Sequence, residues 1–534
     1  MEKTPVPLET IVSLAKRRGF IFPGSEIYGG LAGTFDYGPL GVALKKNIEN
    51  LWWRMFVEER DDMYGIDAAI LMNPKAWEAS GHVSGFSDPS ISCIECRRRF
   101  RVDQLIESQE KYSAFLEMIE NSIPEEFRID QENFDLDALI SLYDAVKQEN
   151  LFQVLETRGD VAKLAWGALP NARKYLGPLV TIYLAINKTC PNCNSHGKNA
   201  WGWPTREKHE LSEARQFNMM FKTHAGATED ESSVLYLRPE TAGGMFVNFK
   251  NVVDALHPKM PFGLAQIGKA FRNEIAPREF VFRVRELEQM EVEYFVREAE
   301  WEDAFELWRK KMHAFAKELG IADSALHEVN VKGDDLAHYS ERTIDFEFDY
   351  PFGRKELWGL AYRTDFDLKA HQEASTVSLE YIEEDGSKTL PHVIEPSLGV
   401  GRTLLAVLLS AYSEEVMGED TRVYLKLPPK LAPIKAMVSP LLKNKPELVQ
   451  KAKEVRTLLQ KIHPAIAWDD NGNIGKRYRR QDEIGTPFCI TIDFDTLGEN
   501  PDLLDTVTLR HRDTGEQERL SLEEVSEKIR TALA

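Results

Sequence analysis

Five cysteines among 534 residues are too few for a disulfide scaffold and suit a reducing compartment. Long apolar runs are missing as well. Stretches such as Leu404 to Leu409 fall far short of the roughly 18 residues that a membrane span needs. The start, Met1-Glu2-Lys3-Thr4-Pro5, has no basic segment leading into an apolar run, so no secretory signal is visible. An excess of positive charge is absent too. With 86 acidic against 66 basic side chains the net charge is −20, which argues against a generic nucleic-acid coat. It leaves room for a polyanion held on local basic patches. Repeats and low-complexity segments are not evident. The composition is that of a cytoplasmic soluble chain, long enough at about 150 residues per domain for three or four domains.

Periodicity sets out the organisation. Leu44, Ile48, Leu51 and Met55 recur at helical spacing and predict a long helix over 41–59. Trp52, Trp53 and Phe56 broaden its apolar stripe, which suits either a wide internal core or a partner surface. Asp67 to Met72 then reads as a strand halted by Asn73-Pro74. Within 103–165 helical patterns rich in Glu, Gln and Asp, with little glycine, indicate an inserted helical lobe. Long strands with polar alternation dominate 211–409, and Pro428-Pro429-Lys430 marks a linker. Beyond it, strands at 434–438, 465–468 and 488–492 alternate with helices, one of them basic. A hairpin turning at Asp513-Thr514-Gly515 and a last helix complete a separate α/β domain. The expected domains are a core formed by 1–92 and 205–420, an insertion over 93–204, and the C-terminal domain over 421–534.

Several constellations carry chemistry. Cys93-x-x-Cys96 and Cys190-x-x-Cys193 are two pairs of the kind that present four thiolates to one Zn²⁺. The stretch 97–189 between them is far longer than in a compact zinc ribbon. Either the lobe brings both pairs together at its base, or these are unligated reduced thiols. No HExxH-type triad accompanies them, so the zinc would be structural. Further on, Ala270-Phe271-Arg272-Asn273-Glu274 and Pro277 precede an expected strand over 280–296. Its even positions carry Phe282, Val284, Met290, Val292 and Tyr294. Its odd positions carry Arg283, Arg285, Gln289, Glu291 and Glu293, while Glu286, Leu287 and Glu288 invert the pattern midway. A sheet face with both charges suits a zwitterionic or phosphate-bearing ligand, or equally a solvated outer face.

Val393 through Arg402 reads as strand, glycine turn and helix, with an arginine at the helix entrance to hold an anion. Leu237-Arg238-Pro239-Glu240-Thr241 places Arg and Glu beside a turn, in itself no more than an ion pair at a sheet edge. Lys476-Arg477-Tyr478-Arg479-Arg480 sets four cations around an aromatic ring, a solvated helix face when taken alone.

Together and in this order these segments resemble the class II aminoacyl-tRNA synthetases, and among them the dimeric glycyl-tRNA synthetases. The helix and strand ending at Pro74 look like the first class signature, usually a dimer-interface element. Phe271-Arg272-Asn273-Glu274 through Arg283 looks like the second, and Gly399-Val400-Gly401-Arg402 like the third. Gly19 through Gly30, Arg238 through Ala242, Glu395-Pro396-Ser397 and Gly475 through Pro487 add family-level likeness, which spans nearly all the chain except 103–180.

The resemblance implies a multidomain α/β and α+β chain. It would have an antiparallel-sheet catalytic core, an inserted helical and zinc-knuckle lobe, and a C-terminal α/β anticodon-binding domain. It implies a homodimer that attaches glycine to tRNA(Gly) with ATP and Mg²⁺, through glycyl-adenylate. Arg272, Glu274 and Arg402 would be catalytic. Asn273, Phe282, Arg283, Val284, Arg285, Glu286 and Leu287 would border ATP, with Glu356, Leu357, Gly399, Val400 and Gly401; Glu356 is the candidate Mg²⁺ ligand. Glycine would meet Glu240, the run Leu287, Glu288, Gln289, Met290 and Glu291, and the run Glu395, Pro396, Ser397, Leu398 and Gly399. Arg99 or Arg101 would also reach it. In the anticodon domain, Lys476, Arg477, Arg479 and Arg480 would track phosphates and Tyr478 would stack a base.

Two positions depart from the family pattern: Gly243, where Gln is usual, and Leu287, where bacterial relatives usually have Phe. Three rival readings fit the same residues less well. One is a synthetase of the same class for another small amino acid. Another is a non-catalytic RNA-binding relative, disfavoured by Arg272, Glu274 and Arg402. A zinc hydrolase is the most distant.

Overall fold

The alternation of side chains over 286–296 belongs to a central strand of a seven-stranded sheet. The computed structural model describes residues 6–93, 97–101, 215–226, 233–333, 336–337, 339–418 and 420–533. They divide into two units, one of 1–80, 221–272 and 277–534, the other of 81–220 and 273–276.

In the first unit the sheet is built from β1 (Met63–Gly65), β2 (Phe262–Phe271), β3 (Glu286–Val296), β4 (Leu326–Val331), β5 (Arg342–Tyr350), β6 (Gly353–Thr364) and β7 (His392–Gly399). Their spatial order is β4-β5-β6-β7-β3-β2-β1, antiparallel except for the parallel β1–β2 pair. Around it lie helices α1 (Leu8–Arg18), α2 (Pro39–Trp53), α3 (Pro74–Ala79), α4 (Ala242–Leu256), α5 (Trp301–Glu318), α6 (Phe366–Ser375) and α7 (Val400–Ala411). Met290, Val292 and Tyr294 of β3 and Leu398 of β7 share one buried cluster with Leu44, Ile48 and Trp52 of α2, Trp308 of α5 and Leu404 of α7. Period-two alternation therefore leaves Gln289, Glu291 and Glu293 on the opposite face.

Three local expectations change. Helix α2 stops at Trp53 and passes into a π-helical turn over Arg54–Glu58. Trp52 and Phe56 are fully buried and stacked at 5.1 Å, so the broad stripe is an internal core. Residues 67–72 are no strand. Only Leu71 bridges to Leu237, and the strand is β1, a few residues earlier. Asn73 instead caps α3, its Oδ1 accepting the Lys75 amide, with Pro74 in the first helical turn. Finally, β3 begins at Glu286. Phe280–Phe282 form a 3₁₀ turn entered through positive φ at Glu279 and Phe280, so Arg283 precedes the strand.

The C-terminal part has strands β8 (Ala436–Pro440), β9 (Ile466–Trp468), β10 (Phe488–Ile492), β11 (Thr506–His511) and β12 (Gln517–Ser521), in the order β9-β8-β10-β11-β12. The first three are parallel. Helices α8 (Pro446–Gln460), α9 (Ile474–Ile484) and α10 (Leu522–Leu533) complete it.

The second unit, among the described residues, holds an antiparallel sheet of Ser87–Ser92 between Arg99–Arg101 and Arg215–Asn218. The expected helical lobe at 103–165 lies outside the described residues, as do Cys96, Cys190 and Cys193. No described helix is long and apolar enough to cross a membrane.

Candidate active site

Glu291 sits at the centre of the polar face, opposite Ser397 of β7 and Gln266 of β2. Its carboxylate takes four hydrogen bonds. The Ser397 hydroxyl donates at 2.5 Å and the Gln289 amide at 2.6 Å to one oxygen. The Thr241 amide donates at 3.1 Å, and the Thr241 hydroxyl also donates, to the other. Thr241 immediately precedes α4, so that amide lies at the helix's positive end. Burial, followed by the nearby Glu240 carboxylate, raises Glu291 above the ordinary carboxylate range, and the two hydroxyls pull it back. Four donors leave this carboxyl little freedom to move.

Beside it, Glu395 accepts from Arg363 of β6, and Arg363 is clamped by Asp367 of α6 through bonds of 2.7 and 2.9 Å. The guanidinium is fully buried and lies 3.8 Å from the Tyr339 ring centroid, with Phe246 at 5.3 Å. This buried cation thus stands among Glu293, Glu395 and Asp367. The sheet positions facing this group are small: Gly359 is paired with Ser397, and Ala361 with Glu395. A Cβ added to Gly359 would meet nothing within 4 Å, so the sheet is open there.

A cationic region adjoins the acidic one. Arg402, in the first turn of α7, lies 4.5 Å from the Phe282 ring centroid and pairs with Glu356 at 2.9 Å. Arg402 first, and then Arg272 and Arg283, draw the Glu356 carboxyl below its usual range. Arg272 is anchored through Nε to the Pro239 carbonyl at 3.1 Å. The glycine turn is needed for packing: a side chain on Gly401 would press on the Val281 carbonyl at 3.0 Å. Arg285 donates to the Ala32 carbonyl at 2.9 Å.

Alternation divides the contiguous runs named from the sequence. Leu287, Gln289 and Glu291 share a face with Glu395, Ser397 and Gly399. Met290, Leu398, Leu357 and Val400 are buried in the core, so only their backbone can meet a ligand. Pro396 is buried as well. Glu288 pairs with Lys45 of α2 on the helix-covered side, and Glu286 with Lys269 at 2.9 Å. Arg238 is no edge ion pair. It is buried and donates to the carbonyls of Lys269 at 2.6 Å and Ala68 at 2.7 Å, a brace between β2 and the segment after β1.

Glu274, Arg99 and Arg101 belong to the second unit. Glu274 is buried, next to Asn273, whose amide donates to the Met219 carbonyl at 2.8 Å. Arg99 lies over the Phe217 ring at 5.4 Å. Cys93 is buried.

The basic run on α9 separates into inward and outward members. Arg477 is buried and spent on Ser439, Pro440, Asp470 and Gly472, so it is closed to phosphate. The Tyr478 hydroxyl meets Thr491 at 2.7 Å and Arg510 covers its ring at 4.8 Å, which takes up the face a base would need. Arg480 is bidentate with Asp469. Lys476 and Arg479 are exposed, the latter paired with Asp420 at 2.9 Å.

Sequence reasoning passed over Arg363, Asp367, Thr241 and Tyr339. Thr241 stood in a named motif. The others come together only through strand pairing and the turn into α6, which no local spacing announces.

Comparison with known proteins assigns this architecture. Residues 221–411 match the tRNA synthetase class II core domain (G, H, P, S and T), and 435–532 match an anticodon binding domain. The fold is that of a class II aminoacyl-tRNA synthetase. The chain is 45% identical to a glycine–tRNA ligase of Clostridium tetani, with 99% of each chain covered. It is 44% identical to that of Alkaliphilus oremlandii, covering 98% of this chain and 97% of the relative. With that of Caldanaerobacter subterraneus it shares 43% over 99% of each. The chain belongs to the glycine–tRNA ligase family.

Proposed function

We propose that this chain attaches glycine to tRNA(Gly) at the expense of ATP, with Glu291 as the centre of the amino-acid pocket. The observation that carries this assignment is the buried Glu291 carboxylate, fixed by four donors beside Glu395 and Glu240. Glycine offers an ammonium and no side chain to grip, so carboxylates must hold it. A rigid carboxyl that cannot yield to an added methyl supports rejection of alanine, although one methylene is worth only about 1–3 kcal/mol in such a pocket.

In the first step the glycine carboxylate attacks the α-phosphorus of ATP, the bond to the β-phosphate oxygen breaks, and pyrophosphate leaves. Arg272 and Arg283 face the charge that develops, while Arg402 and Phe282 border the nucleotide. In the second, a hydroxyl of the tRNA's terminal adenosine attacks the glycyl carbonyl and AMP leaves. Positioning and electrostatics suffice, and no enzyme nucleophile is needed. Mg²⁺ would neutralise phosphate charge when bound, and the ionised Glu356 carboxylate suits its preference for oxygen ligands.

A structural zinc on Cys93, Cys96, Cys190 and Cys193 belongs to the same reading. The Cys93 carbonyl accepts the Arg97 amide at 3.0 Å and the Cys93 amide donates to the Arg98 carbonyl at 2.9 Å. This backbone pairing supports a thiolate knuckle at Cys93, and metal analysis of the purified protein tests it. Lys476 and Arg479 are the proposed cations for RNA. A homodimer in the cytoplasm completes the reading, with mass measurement in solution as its check.

The test of function is amino-acid-dependent ATP–pyrophosphate exchange. Glycine is expected to support exchange, and alanine and serine not. Glu291→Gln should lower kcat/KM for glycine by about 100-fold with KM for ATP shifting less than about threefold. Equal exchange with alanine would refute the pocket.

A further inference from the structure

β3 and β7 pair with Glu291 opposite Ser397 and Tyr294 opposite Ile394. The same register sets Glu293 opposite Glu395, one step deeper on the pocket face. Residues so placed stand about 5 Å apart at Cβ, where like charges repel. Glu293 is fully buried, and neither of its carboxyl oxygens has a hydrogen-bond partner among the described residues. Glu395 differs, because Arg363 donates to it and Asp367 holds Arg363 in place.

The charged and titratable groups around Glu293 come from several elements. Its own strand supplies Glu291, β7 Glu395, β6 Arg363, and α6 Asp367. His371 follows one turn further along α6, beside Phe246 of α4. From β2 the paired neighbour is the apolar Leu264. Glu293, Glu395 and Asp367 thus share the Arg363 guanidinium, while Glu291 feels Arg272 and Arg238 instead. Burial first, then the Glu395 charge, push Glu293 far above the ordinary carboxylate range. Burial lifts Glu395 as well, to about 8, with the Arg363 charge pulling it back. Of two opposed acids, the one without donors holds its proton more firmly and the one held by Arg363 gives it up first.

We propose that Glu293 is a positioning residue of the glycine pocket: a neutral acid set against Glu395, which confines the pair to one negative charge and fixes the charge an incoming ammonium meets. This rests on the pocket assignment made above. A second charge on the pair would set two facing carboxylates against each other and pull Glu395 off Arg363. An acid at this position can acquire that charge in alkali, whereas an amide cannot.

Glu293→Gln therefore separates the alternatives. Pyrophosphate exchange is measured from about pH 6 to about pH 10 with the full chain, its Glu293→Gln variant and its Glu395→Gln variant. Glycine's own amine titrates equally in all three. The unsubstituted chain should show a further alkaline ionisation in kcat/KM for glycine, and Glu293→Gln should lack it. KM for glycine at neutral pH should rise only about two- to threefold in Glu293→Gln, against about 30-fold or more in Glu395→Gln. Persistence of that ionisation in Glu293→Gln overturns the proposal. So does a KM raised as far as in Glu395→Gln, which would make Glu293 a charged ammonium ligand.

A second measurement needs no variant to fold. Infrared difference spectra of the unsubstituted protein labelled with ¹³C-glutamate should contain a protonated carboxylic carbonyl band at neutral pH without substrate, and its absence overturns the proposal. Failure of the pocket itself would appear instead as unaltered glycine KM in Glu291→Gln, with the infrared band still present.

Discussion

A Cβ on Gly243 would lie 2.8 Å from the Trp77 ring, closer than real side chains approach. Gly243 is buried in the first turn of α4, and Trp77 of α3 is fully buried. The indole fills the space that a glutamine would need, which accounts for one departure from the family pattern. Gly243→Ala should gain about 1 kcal/mol of helix propensity and lose about 1–3 kcal/mol to overpacking, for a net fall in melting temperature. Trimming the ring with Trp77→Leu in the same chain should restore part of that fall. A higher melting temperature for Gly243→Ala alone would show that the indole yields freely. The sequence displayed Gly243 as a missing polar group, but its partner is 166 positions away, and only packing brings the two together. Glu291 and Glu395 were legible because the family likeness runs through them. Arg363 and Asp367 were not, since a charge buried by its own counter-ion looks, in sequence, like any surface pair.

Elements show the same limit in another form. The C-terminal alternation of strands and helices was readable to within about two residues, because each element carries its own period and stop signal. The start of β3 was not. Val281 and Phe282 are buried like strand residues, yet they sit in a 3₁₀ turn that follows positive φ at two non-glycine residues. The linker was marked by Pro428-Pro429-Lys430, but what holds it was not. Lys435, just before β8, donates to the carbonyls of Pro429 at 3.2 Å and Lys430 at 2.7 Å. Burial pushes its ammonium down to about 8. A lysine whose folded value lies below its unfolded value of about 10.4 is penalised most below pH 8, and the penalty fades as pH rises towards about 10.5. Because the two carbonyls offset part of the desolvation, the gain should be about 1–2 kcal/mol. Lys435→Met removes the titration. The melting temperature of the unsubstituted chain should therefore rise relative to Lys435→Met between about pH 7.5 and about pH 10. A difference independent of pH would mean that Lys435 titrates as an ordinary lysine.

At the scale of the whole chain, adenylation and tRNA charging make different demands. On the reading proposed above, the first draws on the sheet face with its acidic and cationic regions. The second also needs the anticodon-binding domain held in place, and one carboxylate stands at that junction. Asp482 of α9 receives Arg422 at 2.8 Å, from the hairpin strand Asp420–Leu425, and Arg510 of β11 through bonds of 2.9 and 3.0 Å. All three are buried. Its neighbour Glu483 accepts Arg17 at 2.9 Å and Arg18 at 2.5 Å, from α1. α9 is thereby tied to the hairpin that follows the matched synthetase core and to the chain's first helix. Removing one member of such a buried group leaves uncompensated charge and costs about 3–5 kcal/mol. Asp482→Asn keeps the shape and strands two guanidinium groups, so the domain should loosen locally while the distant pocket keeps its geometry. Glycine-dependent pyrophosphate exchange should then fall less than about threefold, and kcat/KM for tRNA in aminoacylation by about tenfold or more. Equal losses in both reactions would mean that the damage spreads through the fold. Unaltered charging would mean that tRNA binding itself sets the domain in place, and the Asp482 junction would then contribute stability alone.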